Sequence, residues 1–103
     1  MRKHTECVVK FFSEVTALNG KVFLSRSNVV KVRVSSVSDE QYDDVLFKVQ
    51  MAMYVIPGEH SWGTDGIGYL ANKAGNFIEV NKVVTKRVAE EIRKNATNCL
   101  CIA

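Results

Sequence analysis

The side chains nearest to a reactive set are His60, Ser61 and Asp65. They share one stretch, Gly58-Glu59-His60-Ser61-Trp62-Gly63-Thr64-Asp65-Gly66-Ile67-Gly68. A hydrolytic triad needs a nucleophile within hydrogen-bond reach of a base, and a third group that orients the base. His60 and Ser61 are adjacent, and residues this close on one glycine-rich segment rarely hold that geometry. The same stretch imitates a phosphate-cradling loop at Gly63-Thr64-Asp65-Gly66-Ile67-Gly68. Such loops follow a strand and open a helix, so that backbone N–H groups converge on the anion. Here a helical pattern and Pro57 come first, a strand pattern follows, and Gly-Lys-Ser/Thr is missing. Cys99-x-Cys101 is the third candidate. A structural zinc site needs about four ligands, and Cys7, His4 and His60 are scattered along the chain. No catalytic residue, metal site or cofactor is expected.

Recognition is the better use of this stretch. It holds four of the six glycines and the only tryptophan, and it follows the only proline. Tryptophan anchors interfaces because it buries a large area at low entropic cost. The competing reading is a turn-rich connection, with Asp65-Gly66 as a tight turn and Trp62 plugging a sheet edge. The expectation is a non-enzymatic module that binds a protein partner as a regulator or inhibitor, a role that viruses and mobile elements also encode. Trp62 would be its hot spot, with His60, Asp65 and Tyr69 around it. A small molecule or nucleotide held under the glycine loop, with Trp62 stacked on a ring, is a further alternative.

A nucleic-acid interface is the alternative from a different class. Lys10, Lys21, Arg26, Lys31 and Arg33 would share the open face of a first hairpin and contact phosphates. Sheet surfaces that read single strands also need aromatic rings for stacking, a part open to Phe11 or Phe12 and to Tyr69. The net charge of +3, from 14 basic and 11 acidic residues, is too mild to select such a partner. Asp39, Glu40, Asp43 and Asp44 suit a helix N-terminus. Opposite that basic face they would equally favour self-association, a homodimer included, or a protein partner.

These residues need elements to carry them. Ser38 and Gln41 form a capping box ahead of the stripe Tyr42, Val45, Leu46, Val49, Ala52, Met53, Ile56, which predicts a helix closed by Pro57. Val30-Lys31-Val32-Arg33-Val34 alternates strictly and predicts a strand. Ser25-Arg26-Ser27-Asn28 bends or bulges the chain before it. Residues 67–71 and 77–80 predict two short strands around Ala74-Gly75-Asn76. Thr85 caps a second helix that buries Val88, Ala89 and Ile92. Asn19-Gly20 is the strongest hairpin signal. Residues 7–18 before it fit a helical face through Val8, Phe11, Phe12, Val15 and Leu18, but their β-branched and aromatic content favours a strand. The resulting fold is α+β, a two-layer sandwich in ββα-ββα order with an antiparallel sheet of about four strands and two helices on one face. A helical first segment would give α-β-β-α-β-β-α and leave the sheet intact.

At 103 residues, 47% of them hydrophobic, residues 1–103 form one domain with a modest core. The first residues lack the pattern of a signal peptide, and no apolar run approaches membrane-spanning length. An odd count of three cysteines fits a reduced, cytoplasmic setting with no membrane partner.

Overall fold

The computed structural model describes residues 3–58, 67–72, 76–95 and 99–102. The first element is a helix, α1 (Lys3–Ala17), where β propensity predicts a strand. Val8, Phe11, Phe12 and Val15 all lie on its inner face and are buried. Burying that stripe outweighs the small helix penalty of β-branched and aromatic residues. Phe11 and Phe12 meet edge to face, with ring centroids 5.4 Å apart.

Asn19-Gly20 ends this helix and does not turn a hairpin. Asn19 adopts φ 58°. Its N–H donates to Thr16 O at 3.0 Å, and Gly20 N–H donates to Val15 O at 2.9 Å. That pair of bonds is the Schellman motif, which satisfies the last carbonyls of a helix. Gly20 also lies so close to the helix that a Cβ there would stand 2.9 Å from Val15 Cγ1.

The true hairpin joins β1 (Lys21–Ser25) to β2 (Val29–Val34). Asn28 closes its turn at φ 63°, and its N–H donates to Ser25 O. The helix α2 (Tyr42–Val55) begins later than predicted. The Ser38–Gln41 contacts form as predicted, with Gln41 N–H donating to Ser38 Oγ at 3.3 Å, but they build a turn ahead of the helix. Val49, Ala52, Met53 and Ile56 of the predicted stripe are fully buried. The antiparallel pair β3 (Ile67–Asn72) and β4 (Phe77–Val83) follows as expected. So does α3 (Lys86–Lys94), whose Thr85 Oγ1 accepts from Val88 N–H at 3.3 Å. Beyond it lies an unpredicted strand, β5 (Cys99–Ile102), parallel to β1.

Among the described residues the chain is thus a small α+β domain with three helices, one more than predicted, and a five-stranded sheet in the order β3-β4-β2-β1-β5, in which the β1–β5 pair is parallel where an all-antiparallel sheet was expected. Register pairs Val22 with Val32, Leu24 with Val30 and Val32 with Val80. These residues are buried in one cluster with the inner stripes of the helices. The alternating residues of β1, β2 and β4 form the opposite face, which no described helix covers.

One charged side chain enters the core. Lys82, fully buried, extends from β4 to the end of α2. Its Nζ donates to Met53 O at 2.8 Å and to Ile56 O at 2.6 Å. A lysine here does for α2 what glycine caps do elsewhere: it satisfies carbonyls that the last turn leaves open. Ile56 itself is extended, as a residue before proline must be.

Candidate interaction surfaces

Three surface features stand out, one on each layer and one at an end. On the helical layer, α2 carries apolar residues on the side opposite its buried stripe. Phe47, Met51 and Tyr54 are 61%, 47% and 59% exposed. Their spacing of four and three residues places them on one face of the helix. Large apolar side chains grouped in this way mark contact surfaces on soluble domains. Beside them, Phe47 and Met51 share a groove of about 380 Å³ with Glu14, Ala17 and Leu18 of α1 and its C-terminal turn, and with Lys48. Lys48 is held by Asp44 one turn earlier, at 3.0 Å.

On the sheet layer, the open face alternates rings and cations. Phe23 pairs with Lys31 across β1–β2, and Lys31 Nζ sits 5.5 Å from the ring centroid. The Arg33 guanidinium lies 4.7 Å from the centroid of Phe77. Lys31 also reaches Glu79 at 3.8 Å. Both rings are half-buried, and each is met by a cation.

At the end of the sheet where β2 leaves for α2, Arg33 enters a cleft of about 760 Å³. Lys21, Ser35, Ser36, Gln41 and Lys48 are among its walls. A smaller concavity continues from Arg33 and Ser36 to Asn76 and Phe77. Val37 N–H donates to Asn76 O at 2.9 Å and fixes this rim. Ser36 adopts φ 59°, whereas the other three non-glycine residues at positive φ among those described are asparagines. Serine gains less than asparagine from this conformation, so the cleft wall holds a local strain of about 1 kcal/mol.

The predicted site residues distribute as follows. His60, Trp62 and Asp65 lie outside the described residues. Tyr69 is on β3, paired with Val80 in the register. Lys31 and Arg33 share the open sheet face as predicted. Arg26 is exposed at the hairpin turn, away from Arg33. Lys10 belongs to α1 and is exposed on the helical layer, so it cannot join the hairpin face. Phe11 and Phe12 are buried under α1 and offer no stacking surface, a correction that follows from the helix. Phe23 and Phe77 are the rings described beside Lys31 and Arg33 on that face. Their signal was present in the alternation of β1 and β4, but only the register shows which residues share a face.

Chemistry elsewhere is sparse. Burial pushes the Cys7 thiol above its ordinary pKa; its own N–H and that of Val8 counter this in part, and Glu91 adds to it. Among the described residues no group of three His, Cys, Asp or Glu could hold a metal ion. No helix among them is long and apolar enough to cross a membrane. The chain matches no protein-family model, no curated protein and no solved structure, which leaves its surfaces as the guide to function.

Proposed function

We propose that this protein is a non-enzymatic binding module that regulates or inhibits a protein partner, and that α2 is its contact surface. The observation that carries this reading is the exposed row Phe47, Met51 and Tyr54. These three large apolar side chains are about half exposed, so the burial still forgone on this helix face is roughly 1 kcal/mol for each. A partner that covers them recovers it. The adjoining groove with α1 suits an amphipathic helix, whose anchors at one- and two-turn spacing would fill it. Glu14 and Lys48 at the rim would orient that helix by charge. The row runs along α2 toward Pro57, where the glycine-rich stretch begins in the chain, and Trp62 is proposed as a further anchor.

The test is capture of partners from nuclease-treated lysate of the native host, using the wild type, F47S/Y54S and W62A. A discrete protein held by the wild type and lost with F47S/Y54S supports the reading. Hot-spot aromatics carry about 2 kcal/mol each, so affinity for that protein should fall roughly thirtyfold for each ring lost and about a thousandfold for both. Identical capture by the wild type and F47S/Y54S would overturn it. Sedimentation of the purified wild type as a dimer that F47S/Y54S dissociates would replace the partner by a second copy of the chain.

A further inference from the structure

We infer that the open sheet face, independent of the α2 surface, is a binding track for single-stranded nucleic acid. The face presents Lys21, Lys31 and Arg33 against one carboxylate, Glu79, among its described residues on β1, β2 and β4. Positive charge alone would describe any phosphate-binding surface. The rings make the difference. Phe23 and Phe77 stand on the same face, two strands apart and offset along them, which sets them about 16 Å apart by ordinary sheet spacing. Each lies under a cation, Lys31 at 5.5 Å and Arg33 at 4.7 Å.

That pairing is suited to exchange. A nucleotide brings a flat base and an anionic phosphate together. The base can take the ring face, and the displaced cation can take the phosphate, so each cation–ring contact is traded for one stacking and one ionic contact. Arg33 can also keep its ring and stack a base on its outer side, since a guanidinium plane accepts a base as an aromatic does. Two platforms at this separation require bases splayed apart, which a single strand allows and a duplex does not. The polar cleft beyond Arg33, with Lys21 and the exposed Ser35 and Ser36, continues the track around the end of the sheet. Asp44 also lines this cleft, where it holds Lys48 at 3.0 Å. RNA and DNA share the chemistry used here, and the experiment separates them.

The experiment is fluorescence anisotropy with labelled single strands of about 12 nucleotides, as RNA and as DNA, and with a duplex of the same length. Salt is varied between roughly 50 and 200 mM. The expected result is binding of one or both single strands in preference to the duplex. Three phosphate contacts predict a slope of log affinity against log salt of about −2. R33A should make that slope shallower by about 0.7. F23L and F77L should each weaken binding roughly tenfold at every salt concentration and leave the slope unchanged. Leucine keeps the apolar contact with the sheet, and circular dichroism with a melting curve checks the fold of each variant. K21E, at an exposed position, serves as the charge variant should R33A not fold. No binding of either single strand at low salt would overturn the proposal and leave an acidic protein as the occupant of this face. Equal binding of duplex, or indifference to F23L and F77L, would overturn it as well. F47S/Y54S should bind the single strand as the wild type does, so failure of the α2 reading remains distinguishable.

Discussion

At the scale of residues, two side chains are held in states that their chemistry does not favour. Lys82 is the first. Its ammonium is taken out of water entirely and held on Met53 O and Ile56 O. K82M would fill the space but leave both carbonyls without this donor. An unsatisfied buried acceptor costs about 1–3 kcal/mol, so urea denaturation should show a loss of about 2 kcal/mol, with amide exchange accelerated first in the last turn of α2. Exchange that stays unchanged there would refute the capping role. Cys7 is the second. Its raised pKa means less thiolate at a given pH than an open cysteine provides, and thiolate is the reactive form. Peptide-resolved alkylation at about pH 8 should modify Cys7 more slowly in the folded protein than in urea. The difference should narrow as pH rises past the raised pKa. A lone buried lysine cannot be recognised in the sequence, because Lys82 occupies an ordinary place in Asn81-Lys82-Val83 and only its partner helix reveals which way it faces.

At the scale of elements, legibility followed how many readings a local pattern allows. The stripe of α2, the alternation of β2 and the Thr85 cap each admit one, and all three elements are present. Asn19-Gly20 admits two, because a hairpin turn and a Schellman motif both use positive φ and a small residue. The deciding fact is tertiary: whether Val8, Phe11, Phe12 and Val15 have a layer to pack against. G20A tests the closure. Its methyl would press on Val15 Cγ1 and on Val34 Cγ2, 2.9 and 3.3 Å from the ideal Cβ position. Overpacking of this kind costs about 1–3 kcal/mol, measurable as a lower urea midpoint at unchanged slope. T85A should cost about 1 kcal/mol through loss of the α3 cap. The outward side of α2 was legible in principle. Phe47, Met51 and Tyr54 interrupt what should be a polar face, at a spacing of four and three residues. The strand β5 was not legible, since four residues at Cys99–Ile102 carry no period long enough to assign.

At the scale of the whole molecule, each layer leaves one surface uncovered among the described residues, and the single buried cluster between the layers keeps those surfaces apart. F47S should therefore leave thermal stability within about 0.5 kcal/mol of wild type, as exposed substitutions do, whereas F11A should cost about 3–5 kcal/mol; Y54S also removes the ring that Lys82 Nζ meets 5.7 Å from its centroid. A melting-temperature comparison of F47S and F11A checks this separation of binding from folding. The position of β5 has a consequence for how the protein is made. It pairs with β1, some eighty residues earlier in the chain. While the polypeptide is being synthesised, β1 can find β2 at once, but its other edge stays bare until residues 99–102 have left the ribosome. An open strand edge captures whatever extended chain is near. Until then the sheet has a vacancy beside β1 that a neighbouring nascent copy can fill, and slow translation between residues 29 and 102 would lengthen the interval in which that exchange occurs.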